Sequence, residues 1–297
     1  MHRESLDLFW RFIAERQAIW HLRFILKQKW PWTEDAVLRD NRFTNIYREL
    51  DPGTQYALND ILETDFPAKY KTFNIMLYRL IGKKETHKSL GFQRLESFSS
   101  SALSSGLKRV RESGEKPFTA AYLVAGYAQY GGKDKCENVA NLFKIIHDDF
   151  DSIWKKLSSA QSMQEAYKII LNVPGFGNFL SFQVLVDLTY PLNCLNDKPL
   201  LNLDQNEWAA AGPGAKRGIL LLDENAKISD ELRIMKWLQK NQKNEFSRLG
   251  IDFKYWTQNG KPIPISLPNI QNCLCEFHKY VKIKNNTGRA RRKYHSN

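Results

Sequence analysis

Residues 162–188 read SMQEAYKIILNVPGFGNFLSFQVLVDL: one helical repeat, a Pro-Gly-Phe-Gly turn, and a second repeat that is almost wholly apolar. Ser162 offers a cap, with Glu165 three positions later, and the helical pattern runs to Leu171. Asn172 to Gly177 break the period, and Phe179 to Leu188 resume it. The glycines permit a tight turn and leave backbone amides exposed, which together with the N-terminus of the following helix can grip a phosphate. A plain connection between two packed helices has the same pattern. Either way the stretch predicts helix, hairpin, helix.

The rest of the chain is also mainly helical. Leu6, Phe9, Trp10, Ile13, Trp20 and Phe24 fall at helical spacing, with Arg11, Arg16, Arg23 and Lys27 on polar positions, so a long amphipathic helix opens the chain and Pro31 ends it. Thr33 can cap a short helix that follows. Further helices are expected over Thr44–Leu50, Thr54–Glu63, Tyr70–Ile81, Phe118–Tyr130, Glu137–Leu157 and Asn269–Tyr280. The serine-rich run Ser97–Ser105 reads as a loop before the Leu107–Glu112 segment. The expected organisation is all-α: one helical domain over 1–297, with subdomains 1–96 and 106–280 and a basic tail 281–297.

Composition narrows the function. The chain has 297 residues, 42% hydrophobic and 12% aromatic, enough to bury a core without metal or disulfide staples. Forty-four Lys and Arg against 32 Asp and Glu give a net charge of +12, which favours a polyanionic partner, although a solvated surface has the same balance. Cys136, Cys194, Cys273 and Cys275 make neither a disulfide framework nor a zinc cluster, since Cys273 and Cys275 are one residue apart where structural zinc thiolates are spaced by two to four. No tightly bound metal or cofactor is expected. The N-terminus lacks the pattern of a signal peptide and no apolar run is long enough for a membrane span, so the expected setting is intracellular.

A second glycine-rich block, Gly212-Pro-Gly-Ala-Lys-Arg-Gly218, follows Asp197, Asp204 and Trp208. It is not a Walker A loop, which weakens a nucleotide-kinase reading. Lys216 and Arg217 can lie near phosphate, or the glycines can serve only a sharp connection. The tail residues Lys282, Arg291 and Arg292 suit nonspecific contacts to a nucleic-acid backbone.

Several separated blocks resemble the alpha-glutamyl or putrescinyl thymine pyrophosphorylase family and the related helical domain of 5-hydroxymethyluracil DNA kinases. They are Phe12, Ile13, Glu15, Arg16, Ile19 and Arg23; Trp32, Thr33, Asp35, Phe43, Thr44, Asn45, Tyr47 and Arg48; Phe182, Gln183, Asp187 and Leu188; Trp208 with Gly212 to Gly218; and Asn272, Leu274 to Phe277, Lys279 and Tyr280. Each block is a weak signal, but their order is specific and spans nearly the whole chain. Two departures stand out: Pro52 follows Asp51 where the family commonly has an arginine, and Ile25 to Gln28 replaces a more basic, glycine-containing approach to Trp32.

The resemblance implies a helix-hairpin-helix DNA glycosylase-like fold, in which Val173, Gly175 and Gly177 hold the DNA backbone and a monovalent cation can sit at the hairpin. It implies a double-stranded DNA partner carrying a modified pyrimidine, and base flipping into a pocket where Trp32 or Trp208 stacks. The implied reaction is displacement of pyrophosphate from pyrophosphoryl-5-hydroxymethyluracil by an amine or amino acid. Arg16, Arg48, Lys216 and Arg217 are then candidate phosphate donors, Asn45 and Gln183 candidate substrate contacts, and Asp204 and Glu276 candidate acid–base groups. Asp197 fits the family's distance beyond the hairpin better, and Asp204 its local context. Each residue also has a plain reading, such as ion pairing, helix capping or core packing. A glycosylase, a noncatalytic reader of modified DNA and, at lower rank, an RNA-binding protein are the competing functions. The source and compartment stay open: nucleus if eukaryotic, host cytoplasm if phage or bacterial.

Overall fold

The computed structural model describes residues 1–120, 122, 124–289 and 292–294. Arg291, a candidate backbone contact, lies outside the described residues. The chain is mainly helical, with 13 α-helices and one small antiparallel ribbon, Thr257–Gln258 against Lys261–Pro262, among the described residues. It forms two compact units, Met1–Asp51 with Gln205–Asn297, and Pro52–Asp204.

The first unit is built on four helices, Arg3–Trp20, Pro213–Leu222, Glu231–Arg248 and Leu267–Lys284. The apolar stripe of Arg3–Trp20 buries Leu6, Phe9, Trp10, Phe12 and Ile13, and ring edges interlock it with its neighbours: Phe9 and Phe277 centroids are 5.3 Å apart, Trp10 and Phe246 5.1 Å. Fully burying one such side chain stabilises the fold by about 1.5–3 kcal/mol. The glycine-rich block has a packing role here. Pro213 opens its helix, and Gly214 and Gly218 lie one turn apart against Leu267–Lys284, where a Cβ would collide with Cys275 Sγ and with the Leu274 carbonyl respectively.

The second unit centres on Ala68–Ile81, which is buried on nearly every side from Lys71 onward. Phe73 meets Phe143 at 5.6 Å and Phe150 at 5.0 Å. Arg79 and Asp187 form a buried bidentate pair, Nε to Oδ2 at 2.5 Å and Nη2 to Oδ1 at 2.6 Å. The opening stretch of the sequence folds as expected into Met163–Leu171, a turn, and Asn178–Leu188. Ser162 accepts the Glu165 amide at 3.1 Å. Gly175 has a φ of 81°, which strains any L side chain, and a Cβ there would push the Leu142 side chain aside.

Four expectations change. Ser100–Glu112 is helical, because Ser99 accepts the Ala102 amide at 3.2 Å and Leu103 and Leu107 supply a buried face. Glu137–Leu157 is two helices, Lys135–Asp148 and Phe150–Ser158, and the break at Asp149 allows Phe150 to enter the core. No α-helix covers the described part of Phe118–Tyr130, which has only a 3-10 turn, Ala128–Tyr130. There the backbone oxygens are served by side chains instead: Lys135 Nζ donates to Val124 O at 2.6 Å and Asn138 Nδ2 to Gly126 O at 3.0 Å. Thr44–Leu50 is not a helix either; only Arg48–Leu50 turns, as a 3-10 segment.

Candidate functional site

The segment Thr44–Asp51, which has a 3-10 turn but no α-helix, is where the first unit concentrates its polar chemistry. Its backbone groups are taken up by side chains from two helices. Arg16, on Arg3–Trp20 and only 5% exposed, donates through Nη2 to the Thr44 carbonyl and, at 3.2 Å, to the Asn45 carbonyl. Glu276, on Leu267–Lys284, accepts the Thr44 amide at 3.1 Å. Asn269 Oδ1 accepts the Arg48 amide at 3.0 Å, and Asn272 Nδ2 reaches Thr44 Oγ1 at 3.1 Å and the Asn45 carbonyl at 3.3 Å. Asp51 accepts the Asn45 amide at 3.1 Å and so closes the segment on itself. A helix would have used these amides and carbonyls internally.

The charges inside this cage are unevenly satisfied. Arg16 Nε and Nη1 are buried without an oxygen or nitrogen partner, while the guanidinium lies 4.9 Å over the Phe12 ring and within hydrogen-bond reach of the Cys273 thiol, a weak acceptor. Leaving buried donors unmet costs about 1–3 kcal/mol, so such groups call for an acceptor such as a water, an ion or a ligand. Burial pushes the Asp51 carboxyl up to about 6, against the pull of the Asn45 amide, Arg48 and Arg16. Glu49 is also raised by burial, and accepts Asn269 Nδ2 at 3.0 Å. Glu276 is held by Lys279 Nζ at 3.3 Å in addition to the Thr44 amide, and Lys279 itself sits 4.4 Å over the Phe43 ring. Thr44 is exposed, while Asn45, Asp51, Asn272 and Cys275 are half-buried, so the cage reaches the surface.

This arrangement is chemically suited to an anion and an acid–base step. One buried guanidinium provides unused donors, and a carboxyl with a pKa near 6 exchanges protons near neutrality. Burial pushes the Cys273 thiol up to about 11 and also raises Cys275, which argues against either as a nucleophile near neutral pH.

The structure gathers Arg16, Asn45, Arg48 and Glu276, all anticipated from the sequence, around one backbone segment. Asp51, Glu49, Asn269 and Asn272 join them: Asn272 stands in a matched block and Asp51 at a departure from the family pattern, whereas Glu49 and Asn269 had only adjacency to the matched blocks as a signal. Lys216 pairs with Glu231 at 3.3 Å, whereas Arg217 and Lys282 are exposed. Trp32 donates to the Gln28 carbonyl at 2.8 Å, and Trp208 is half-buried.

In the second unit Val173 and Phe176 anchor the hairpin in the core, while Pro174, Gly177 and Asn178 are exposed. Tyr127 donates to the Gly175 carbonyl at 3.0 Å. Gly177 is the N-cap of Asn178–Leu188 and supplies no side-chain cap, so the first-turn amides of that helix are open to an outside acceptor. Gln183 is half-buried on the same helix, and Asp197 and Asp204 lie exposed outside the helices of this unit.

A family model described as the helical domain of 5-hmdU DNA kinase matches residues 3–290. The chain belongs to that family. A 5-hmdU DNA kinase of Bacillus phage SP10 is 30% identical over 291 residues, covering 92% of this chain and 44% of the relative. The chain therefore spans less than half the length of that curated member of the 5-hmdU DNA kinase family. No solved structure matches it. Among the described residues, no helix is long and apolar enough to cross a membrane.

Proposed function

We propose that this chain acts in the hypermodification of thymine in DNA, replacing the pyrophosphate of pyrophosphoryl-5-hydroxymethyluracil with an amine or amino acid. The observation that carries the reading is Arg16, a buried guanidinium whose Nε and Nη1 have no oxygen or nitrogen acceptor and which lies beside the Cys273 thiol and interacts electrostatically with Asp51. In the proposed step the amine nitrogen attacks the methylene carbon, the C–N bond forms as the C–O bond breaks, and pyrophosphate leaves with the bonding electrons. Arg16, with Arg48, holds phosphate oxygens as charge gathers on the leaving group. Asp51 or Glu276 accepts the proton released from the amine.

The family's name and the phage relative support hydroxymethyluracil in DNA as the substrate class. The kinase step in that name does not transfer with the match, which is to the helical domain, and this sequence carries no Walker A loop. The uncapped helix at Gly177 supports a role for the hairpin in holding a DNA phosphate. Asp197 is carried as a candidate acid by its distance beyond the hairpin, and Asp204 by its family-like context before Trp208 and the Gly212–Gly218 block.

The test is intact-mass analysis of short duplexes carrying thymine, hydroxymethyluracil or pyrophosphoryl-hydroxymethyluracil, incubated with the protein and a pool of amines. Loss of pyrophosphate with a matching gain of amine mass is the expected result. An abasic mass would make the protein a glycosylase. Unchanged mass with retained binding to the modified duplex would make it a reader.

A further inference from the structure

The opening helix does not end cleanly. After Trp20 it widens into a π turn, His21–Ile25, and Lys27 follows in a left-handed conformation with φ 52°. Such a turn rotates the residues beyond it away from the apolar stripe that buries the rest of the helix, and π turns are frequent at functional sites. The consequence is a run of large apolar side chains facing solvent: Phe24, Ile25, Leu26 and Trp30 are between 39 and 53% exposed. Single exposed apolar residues are ordinary, whereas a contiguous set marks an interaction surface.

The rings here are held in place. The Arg23 guanidinium lies 4.7 Å from the Phe24 ring centroid, 5.3 Å from that of Trp32 and 5.5 Å from that of Tyr294. Trp32 and Tyr294 meet edge to face at 5.2 Å. Trp30 Nε1 donates to the Arg39 carbonyl at 3.1 Å, which fixes the indole while leaving much of it open. The same place receives part of the basic tail: Arg42 N donates to the Arg292 carbonyl at 3.0 Å, and Tyr294 N to the Asp40 carbonyl at 3.1 Å.

Lys27, Lys29, Arg292 and Lys293 are exposed here, and none has an ion pair among the described residues. Of the nearby acids, Asp40 is paired with Arg39 at 3.0 Å and Asp35 accepts the Tyr280 hydroxyl at 2.7 Å, so Glu34 is the exposed carboxylate left to oppose them.

We propose that this surface binds single-stranded or locally unpaired DNA, with bases stacked on Phe24 and Trp30 and phosphates taken by Lys27, Lys29, Arg292 and Lys293. Fixed rings interleaved with unpaired cations are the combination that recognises unpaired nucleotides. A membrane-seeking segment presents its apolar residues along several helical turns, and here they occupy one turn and the loop after it. The inference rests on the proposed function only in taking DNA as the partner.

The test uses short, unmodified, fluorescently labelled oligonucleotides, so failure of the transfer chemistry leaves it intact. Phe24→Ser and Trp30→Ala are expected to weaken single-strand binding by about 5- to 150-fold each, the range for loss of one stacked base, with a smaller effect on a fully paired duplex. The double variant Lys27→Gln with Lys29→Gln is expected to flatten the salt dependence, while Lys155→Gln, an exposed lysine of the second unit, leaves it unchanged. All of these side chains are exposed, and an unaltered circular dichroism spectrum confirms the fold. Ring variants that bind single strands as the parent does would overturn the proposal. So would tighter binding to phosphatidylserine vesicles than to single strands, lost in the same ring variants.

Discussion

Glu276 accepts the backbone amide of Thr44 at 3.1 Å, across 232 residues of chain. With the bonds from Asn269 and Asn272 it ties the C-terminal helix to a segment whose sequence predicts a helix, and it leaves the carboxylate facing Thr44, Lys279 and the Asp51 side of the cage. The candidate chemistry depends on that tie.

If Glu276 or Asp51 takes the amine proton, Glu276→Gln or Asp51→Asn lowers the transfer rate by about 10²–10⁴-fold. Asp204→Asn is the comparison. A loss confined to Asp204→Asn, read by intact mass of the DNA product, would move the chemistry away from the Arg16 cage.

The pH dependence follows from Asp51. Its folded pKa is raised to about 6 by burial, and only the carboxylate can accept a proton. If Asp51 is the base, the rate rises with pH through about 6 and falls away below it. The rising limb disappears in Asp51→Asn, measured as initial rates in buffers of constant ionic strength.

His87 gives a stability signature. It is 2% exposed, its Nδ1 is hydrogen-bonded to the Tyr56 hydroxyl at 2.9 Å, and burial depresses its pKa from 6.5 to about 4. The unfolded chain binds the proton more readily, so the stability held by neutral His87 is complete above about 6.5 and is lost as pH falls toward 4, about 3 kcal/mol in all. Asp51, with its folded pKa raised, acts with the opposite sign in part of the same window. The difference in urea unfolding between the parent and His87→Asn isolates the histidine. That difference should shrink on acidification; a constant value would show that His87 does not titrate on unfolding.

Arg79 and Asp187 are a buried pair with side-chain exposures of 11% and 1%. Asp187→Asn leaves a buried guanidinium uncompensated and should cost about 3–5 kcal/mol, whereas Arg79→Met with Asp187→Leu should recover much of it. Urea midpoints of the three proteins measure both effects.

Gly218→Ala tests the close approach of two helices. The added methyl meets the Leu274 carbonyl, which is backbone and cannot rotate away. A loss of about 1–3 kcal/mol is expected, while Gly114→Ala, with open space around it but φ 86°, probes the cost of backbone conformation alone. Gly218 has no left-handed φ and lies within a helix, so no loss, or the gain that Ala ordinarily brings to a helix interior, would show that the helix contact contributes nothing.

Much of the helical framework was legible in the chain itself. The apolar spacing of Leu6, Phe9, Trp10 and Ile13, the Ser162 cap with its Glu165 partner, and the Pro-Gly-Phe-Gly break are local signals, and local periodicity is what sets a helix and its ends. The order of the matched blocks likewise placed the chain in its family. What the sequence could not show is where backbone groups go when distant side chains compete for them. Thr44–Tyr47 is held open by Arg16, Asn272 and Glu276, and the stretch before Ala128 by Lys135 and Asn138. Gly214 and Gly218 likewise read as a possible phosphate loop until Leu267–Lys284 was seen against them. The sequence by itself determined most of the helices, the turn between Leu171 and Asn178 and the family, because each is written in neighbouring residues or in their order along the chain. Only the tertiary structure decided that Asp51 lies half-buried beside Arg16, because burial and charge proximity belong to residues that meet only after folding.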